Sequence, residues 1–174
     1  LERIDAVDPA NEILDSSMVD NIPSEENIEK WISESFQFIN NENKPKNNKM
    51  ELSLKTVSSN EIQKLNKQYR GKDKTTNVLS FPSKSKDSKY WPESPRYHLG
   101  DIVICPEIIE MEAKRQKKEI NFHWCHIVIH GFLHLFGFDH VSDSNAKEME
   151  LLEKKICIYL GFSDPYLQNL SDKH

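Results

Sequence analysis

The sequence predicts an α+β fold, in which a small mixed sheet of three to four strands packs with four to five helices. Apolar residues alternate along residues 50–57, as in a strand with one buried face. Two shorter apolar runs follow, and segments with helical periodicity lie on both sides of these strands. Residues 121–136 are apolar nearly all round, which predicts a central helix buried in the core. The length of 174 residues suits one domain, so we expect residues 1–174 to form a single unit.

The N-terminal part of the chain contains one clear helix. Residues 1–20 are polar and acidic and are predicted to be loosely ordered, with one strand-like segment at residues 12–19. Pro23 and Ser24 precede two glutamates, which is typical of a helix start because acids in the first turn interact with the helix dipole. Residues 40–49 are polar and predict a loop. The predicted helix carries the following apolar residues at amphipathic spacing: Ile28, Trp31, Ile32, Phe36 and Ile39.

A strand and a capped helix are predicted next. Residues 50–57 form the strand. Ser58 and Glu61 have the spacing of a capping box, in which side chains pair with the free amides of the first helical turn. The helix that they begin is expected to reach Arg70, and Gly71 is expected to end it.

Two further strands and a third helix follow. Residues 77–81 and residues 99–104 are short apolar runs typical of strands. Residues 83–97 between them are rich in Ser, Lys and Pro, as in a long surface loop. Pro106 suits the first turn of a helix, because proline has no amide hydrogen to leave unpaired there. We expect that helix to end near Lys117.

The buried helix and a final helix complete the prediction. Asn121 is the predicted N-cap of the buried helix, because its side chain can accept a hydrogen bond from a free amide. A last amphipathic helix is predicted from about Ser144 to Leu160, with Gly161 at its end.

The buried helix contains a histidine pattern typical of a metal site. His130 and His134 are four residues apart, so their side chains lie on one face of the helix. Gly137 predicts the end of the helix, because glycine adopts the left-handed conformation at little cost. The chain can then return His140 to the same point. Three imidazoles arranged in this way leave a coordination position open, as in a catalytic zinc site.

The spacing of these residues equals the metzincin frame H-E-x-x-H-x-x-G-x-x-H except at one position, where Gly131 replaces the glutamate general base. A single histidine in an apolar helix is more often a hydrogen-bonded core residue, but three at ligand spacing favour a metal. We therefore expect one Zn²⁺ per chain, bound by His130, His134 and His140. Zinc suits three imidazoles, although nickel, copper and iron bind the same type of atom.

Several polar residues near this pattern have more than one interpretation. Asp101 and Asp139 are candidates to accept a hydrogen bond from the second ring nitrogen of a ligand, and Asp139 is equally a candidate turn residue. His126 lies one turn before His130 and is interpreted as a hydrogen-bonded core histidine or as a partner of the site. Contacts with RNA and roles in strands or turns explain three further residues equally well: Thr76, Asn77 and Ser80.

The charge of the chain is unevenly distributed. The net charge is −5, but residues 1–30 have a net charge of −7 and residues 60–90 have a net charge of +5. The basic segment is compatible with a phosphate-bearing partner, or it is a solvated surface. No apolar run reaches membrane-spanning length, the start has no secretory signal pattern, and the three cysteines are widely spaced. We therefore expect a cytoplasmic protein with reduced thiols and no membrane partner.

Several segments of the sequence resemble one known family. The similarity covers about residues 50–165, and the first part of the chain matches only in broad layout. These segments resemble the YbeY family, bacterial metal-dependent endoribonucleases of ribosomal RNA processing. They are LNKQYRGKDKTTNVLSFP (65–82), LGDIVIC (99–105), HGFLHLFGFDH (130–140) and the ending LGFSDPY (160–166).

The resemblance implies an activity and its residues. It implies that His130, His134 and His140 are zinc ligands of the catalytic centre and that Arg70 is needed for catalysis. It implies cleavage of single-stranded RNA, in 3′-end maturation of small-subunit ribosomal RNA and in ribosome quality control, with ribosome-assembly proteins as partners. A guanidinium can bind two phosphate oxygens at once. Alternatively, Arg70 is a surface cation that interacts with the C-terminal end of its helix.

Two other functions fit parts of the sequence. A metzincin-like metalloprotease matches the histidine frame, but Gly131 supplies no general base for amide hydrolysis. A non-catalytic, zinc-stabilised ribosome-assembly module would need the same ligands without turnover. The leading hypothesis is a single zinc-dependent endoribonuclease domain over residues 1–174.

Overall fold

The structure is a computed structural model, and it describes residues 4–5, 21–39, 50–83 and 97–167. These residues contain four strands and five helices, so the predicted α+β class is confirmed. The elements in chain order are β1 (Ile4–Asp5), α1 (Glu25–Phe36), β2 (Met50–Thr56), α2 (Ser59–Arg70), β3 (Val78–Pro82), β4 (Tyr97–Ile104), α3 (Pro106–Gln116), α4 (Ile120–Leu135) and α5 (Asp143–Tyr159).

Some predicted segments fall outside the described residues. The predicted strand at residues 12–19 and the predicted loop at residues 40–49 lie there, as does most of the loop predicted at residues 83–97. The two-residue strand β1 was not predicted, because it lies in the polar N-terminal segment and has no apolar alternation of its own.

The four strands form one mixed sheet in the order β1-β2-β4-β3. Strand β2 pairs in parallel with β1 and with β4, while β3 pairs antiparallel with β4. Six of the eight residues of β4 are buried, because this strand has neighbours on both edges and helices over both faces. Strand β3 follows α2 in the chain and lies at the edge of the sheet, beside β4.

Helix α4 lies at the centre of the main core, as the sequence predicts. It contacts α1, α3, α5, β3 and β4. Four of its large side chains, Trp124, Ile129, Phe132 and Leu133, are fully buried. Burial of one such side chain contributes about 1.5–3 kcal/mol to folding. These contacts fix the rotation of α4 about its axis and therefore the direction of every polar side chain that it carries.

Helix α2 packs on the opposite face of the sheet. Ile62 of α2 packs with a smaller apolar cluster that includes Leu79 of β3 and Val103 of β4. The adjacent residues Val78 and Ile102 belong to the main core. The alternation of side chains along a strand places these neighbours on opposite faces. The end of α2 is thereby held beside β3.

The helix ends agree with the sequence in one case and differ in another. Ser58 caps α2 by accepting a hydrogen bond from the amide of Glu61, as predicted. Asn121 is not the N-cap of α4: the cap is Glu119, and the helix begins at Ile120. The Glu119 carboxylate accepts hydrogen bonds from the amides of Asn121 at 2.8 Å and Phe122 at 2.7 Å. Its negative charge also lies at the positive end of the helix dipole.

No helix among the described residues is both long enough and apolar enough to cross a membrane. Cys105, Cys125 and Cys157 are buried with free thiols, as expected from their spacing.

Candidate metal centre

Three histidines from α4 and the turn after it converge at one point. His130 and His134 lie on the same face of α4, and the helix ends in a turn in which Gly137 has a φ of 88°. The amide of Gly137 donates to the carbonyl of His134, and the amide of Phe138 donates to the carbonyl of Leu133. This pair of hydrogen bonds is a Schellman motif, which reverses the chain direction. His140 follows the turn, and its ring stacks on that of His130 with centroids 5.6 Å apart.

The nitrogen atoms of these rings are close enough to hold one metal ion. One ligand atom from each of His130, His134 and His140 lies within 4.8 Å of the other two. The Nε2 atoms of His130 and His134 are 3.1 Å apart. In a tetrahedral site with Zn–N distances of about 2.0–2.1 Å, ligand nitrogens lie about 3.3 Å apart. The three side chains therefore fit a metal with little movement.

Hydrogen bonds behind two of the rings select the tautomer that a metal needs. His134 Nδ1 donates to the carbonyl oxygen of Phe138 at 2.8 Å. His130 Nδ1 donates to Glu153 Oε1 at 2.7 Å. In each ring the proton on Nδ1 leaves the lone pair on Nε2, the atom that faces the neighbouring histidine. Burial, followed by the effect of His130, lowers the pKa of His134 to about 4, so this ring is neutral at physiological pH.

Glu153 of α5 is the main residue that sequence reasoning missed. Its side chain is completely buried. Besides His130, it accepts hydrogen bonds from His126 Nε2 at 2.7 Å and from the hydroxyl of Tyr166. Burial by itself would raise the pKa of Glu153, but the hydrogen bonds from His126 and His130 outweigh it and lower the pKa to about 2. The carboxylate is therefore ionised.

A signal for Glu153 was present in the sequence. Helix α5 buries Met149, Ile156 and Cys157 along one face, and Glu153 lies on that same face. A charged residue within an apolar stripe must be paired or must contribute to a site, because a buried charge without partners is very costly. Its donors here are neutral when His130 binds a metal, and the metal then supplies the compensating positive charge. The buried anion therefore needs a positive charge beside it, which a cation at the three histidines would supply.

Gly131 faces away from the ligands and against the sheet. A Cβ atom at this position would lie 3.1 Å from Ile102 Cγ2 and 3.2 Å from both Ser80 Oγ and Val78 Cγ2. The carbonyl of Gly131 also accepts a hydrogen bond from Ser80 Oγ at 2.9 Å. A larger side chain would have to displace these side chains of β3 and β4. The position that holds the general base in the metzincin frame is therefore occupied here by helix–sheet packing.

Comparison with known protein families agrees with this site. The model of the family described as Endoribonuclease YbeY matches residues 13–161, which include the three histidines and Arg70.

The chain belongs to the YbeY endoribonuclease family.

The solution structure of TM1509 from Thermotoga maritima is similar to this chain with 26% sequence identity and a TM-score of 0.46. The similarity covers 82% of this chain and 90% of that protein.

The two aspartates considered from the sequence have other partners in this YbeY-family chain. Asp101 Oδ1 pairs with His98 Nε2 at 3.0 Å in an exposed position, not with a ligand histidine as suggested. Asp139 acts as a turn residue: its Oδ1 accepts hydrogen bonds from the amide of Val141 and from the side chain of Asn145. These two hydrogen bonds of Asp139 support the segment between α4 and α5, next to His140.

Two of the three polar residues around β3 have structural contacts. Ser80 bonds to the backbone of α4, as described above. Asn77 Nδ2 donates to Glu112 Oε2 at 3.0 Å, and His123 Nε2 bonds to the same oxygen at 2.9 Å. Asn77 also lines a cleft of about 390 Å³ together with His126, His130 and Tyr166. Thr76 is half-buried at the start of this segment.

Arg70 is the last residue of α2, and its side chain is exposed. The preceding residue, Tyr69, packs edge-on against Phe81 of β3 with ring centroids 5.0 Å apart. Ser80, the neighbour of Phe81, reaches α4 next to His130. Among the contacts between described residues, none joins the Arg70 side chain to the three histidines. The structure thus connects the end of α2 to the site through β3 and leaves the guanidinium facing solvent.

Proposed function

We propose that this protein is a zinc-dependent, single-strand-specific endoribonuclease that acts in 3′-end maturation of small-subunit ribosomal RNA and in ribosome quality control. The observation that carries the proposal is the convergence of three imidazoles in a chain of an endoribonuclease family. The substrate class and the biological step rest on the sequence resemblance. Ribosome-assembly proteins are the proposed partners, and the cytoplasm is the proposed location.

His130, His134 and His140 are the proposed ligands of one zinc ion per chain. A zinc ion held by these residues would supply a positive charge for a phosphoryl oxygen and would lower the pKa of water to about 7. His130 and His134 hold their Nε2 atoms towards this position, His140 offers one ring nitrogen to it, and His140 is the most exposed of the three. Such chemistry would need no strong protein base, which fits a site that has Gly131 where proteases have glutamate.

The turn after Arg70 is the proposed surface for backbone phosphates, and several hydrogen bonds support its backbone. Asn66 is almost completely buried, and its Nδ2 donates to the carbonyl of Lys74 at 2.8 Å. Asp73 accepts hydrogen bonds from Gln63 at 3.0 Å and from Lys67 at 2.7 Å. These contacts tie the backbone of the turn to α2, so the backbone would lose little conformational entropy when its exposed cations bind phosphate.

Arg70 is the proposed phosphate-binding residue of the reaction. Its planar guanidinium can bind two oxygens of a phosphate at once, and such paired contacts stabilise the charge that develops at phosphorus. Lys72 and Lys74 are exposed on the same turn and add attraction that does not depend on sequence. Asn77 ends this turn and lines the cleft that contains His130, which gives the RNA strand a path from the turn to the site.

The substrate prediction is tested with matched single-stranded and double-stranded RNA, each with and without a chelator, in parallel with a peptide substrate. We expect cleavage of the single strand only, loss of cleavage with chelator and recovery with added zinc. Activity should fall steeply with salt, because backbone contacts dominate. A preference for duplex RNA or cleavage of the peptide would contradict the proposal. Metal binding without any RNA cleavage would favour the non-catalytic assembly module.

The role of Arg70 is tested by Arg70→Ala, with Lys64→Ala as the matched control. Both residues are exposed cations of α2, but only Arg70 lies at its end beside β3. We expect Arg70→Ala to abolish cleavage while metal content and melting temperature stay close to the parent values. Arg70→Lys should recover only part of the activity, because an ammonium cannot make the paired contact. Equal activity of Arg70→Ala and Lys64→Ala would remove Arg70 from the site.

A further inference from the structure

The partners behind two of the ligand histidines differ in charge. His134 donates from Nδ1 to a backbone carbonyl, which is neutral. His130 donates from the equivalent atom to the ionised carboxylate of Glu153. A carboxylate partner makes an imidazole a stronger electron donor than a carbonyl does, and such partners raise metal affinity. Of the two histidines on α4, His130 would therefore be the stronger electron donor to a bound metal.

Three side chains from two parts of the chain hold this carboxylate in one orientation. Oε1 accepts from His130 of α4, and Oε2 accepts from His126, one turn earlier on the same helix. The hydroxyl of Tyr166, from the segment after α5, donates to Oε2 as well. Each oxygen therefore has at least one donor, and rotation of the carboxylate would break contacts to two elements at once. Such support is what keeps a ligand within the narrow range of productive geometries.

His126 acts as a neutral donor in this network. Its Nε2 donates to Glu153, and its Nδ1 is buried without a hydrogen-bond partner among the described residues. A proton on Nδ1 would leave an unpaired N–H group in the core, which is costly. His126 thus satisfies one lone pair of the carboxylate and adds no positive charge. The negative charge of Glu153 remains available to His130 and to a metal bound there.

We propose that Glu153 is a positioning residue of the metal centre: it fixes His130 in the tautomer that binds metal and supplies the negative charge that strengthens this bond, while His126 and Tyr166 hold its carboxylate in place. The inference rests on the proposed metal site. It extends that site beyond α4 to α5 and to the C-terminal segment, so that metal binding depends on how these elements pack on α4. Glu153 itself does not touch substrate.

The test is the zinc affinity of Glu153→Gln, measured by competition with a chromophoric chelator. The glutamine keeps the size and one acceptor but loses the charge. We expect it to bind zinc about tenfold more weakly, and Glu153→Ala, which loses the acceptor as well, to approach about a hundredfold. Glu148→Gln is the matched control, because it removes an exposed carboxylate from the same helix. Its zinc affinity should equal that of the parent.

Cobalt substitution provides a second readout. The visible absorption of bound Co²⁺ reports ligand strength and geometry, so it should shift in Glu153→Gln and not in Glu148→Gln. Tyr166→Phe removes one donor to Oε2 and should cause a smaller loss of zinc affinity than Glu153→Gln. Unfolding of the metal-free proteins separates a loss of affinity from a loss of fold. If Glu153→Ala does not fold, Glu153→Gln and Tyr166→Phe still decide the question.

The outcomes separate this inference from the proposed function. If the parent protein binds no metal, the proposed metal site fails and Glu153 has no role there. If the parent binds zinc but Glu153→Gln has the same zinc affinity and the same cobalt spectrum, the site stands and the positioning role of Glu153 is wrong. Reduced stability of the metal-free variant with unchanged affinity would show a purely structural role and would also overturn the inference.

Discussion

Replacing Gly137 with alanine should weaken metal binding through the backbone, without touching a ligand. Gly137 has a φ of 88°, a conformation in which a side chain collides with the following carbonyl at a cost of about 1–2 kcal/mol. A Cβ at this position would meet no other atom within 4 Å, so backbone strain is the whole cost. The chain relieves this strain by rotating the turn, and His140 lies three residues further on. The strain is therefore transmitted to the third ligand.

Gly161 provides a matched control. It ends α5 with a φ of 86°, in the same pair of hydrogen bonds, and a Cβ there would also meet nothing within 4 Å. Gly161→Ala should thus lose the same stability in the metal-free state. For a protein of this size, a loss of 1 kcal/mol lowers the melting temperature by about 2–4 °C. No ligand histidine follows Gly161, but Tyr166, which contacts Glu153, lies five residues further on, so Gly161→Ala should lose much less zinc affinity than Gly137→Ala.

The two variants should separate only when zinc is present. At a free zinc concentration of one hundred times the parent dissociation constant, binding stabilises the protein by about 2.7 kcal/mol. A tenfold loss of affinity in Gly137→Ala reduces this term to about 1.4 kcal/mol. We therefore expect equal melting temperatures for both variants in chelator, and in zinc a further deficit of about 1.3 kcal/mol for Gly137→Ala and a clearly smaller one for Gly161→Ala. Equal shifts by zinc in both variants would refute the reasoning.

Three other predictions follow from the same geometry. Chelation of the parent protein should lower its melting temperature by about 5–10 °C relative to the protein in excess zinc, because a ligand that binds only the folded state stabilises that state. Added zinc should restore the melting temperature. Gly131→Glu should lower the free energy of unfolding, measured by chemical denaturation, by more than about 3 kcal/mol, because the side chain would enter the contact with Val78 and Ile102 as a buried charge. A stable variant that hydrolyses peptides would contradict this account. Ser80→Ala should cost about 0.5–1.5 kcal/mol in chemical denaturation by removing the hydrogen bond to the Gly131 carbonyl, with zinc affinity nearly unchanged.

The predictable part of this protein is encoded in short segments. The spacing alone predicts that the side chains of His130, His134 and His140 converge, because one helix and one glycine turn determine their positions. The helix start at Ser58 and the burial of α4 were likewise predicted, since each depends on neighbours within a few residues. That the three histidines bind zinc stays a prediction.

The unpredicted part depends on packing between distant segments. Glu153 contacts His130 across 23 positions of sequence, and only the docking of α5 on α4 brings them together. The parallel pairing of β2 with β4 similarly joins strands that are separated by α2 and β3. The prediction of Asn121 as the N-cap of α4 was wrong for a local reason. Asparagine is a common capping residue, but the longer side chain of Glu119 accepts hydrogen bonds from two amides at once. Competition between adjacent residues of this kind is decided by geometry that the sequence pattern does not show.

The histidine frame of this chain is shared with metalloproteases, and the position after the first histidine shows why the chemistry differs. In the protease frame that position carries a glutamate that acts on the metal-bound water. Here Gly131 packs on β3 and β4 at a distance that leaves no room for a Cβ without movement, and its carbonyl is held by Ser80. The carboxylate of this site is instead Glu153, which lies behind His130 and not in front of it. If a metal is bound, Glu153 would strengthen His130 as a ligand, and its place on the Nδ1 side of the ring would keep it from acting as a general base. In the proposed site, the same histidine spacing would act through a bound metal and through the cations proposed to bind phosphate, which fits phosphodiester cleavage better than amide hydrolysis.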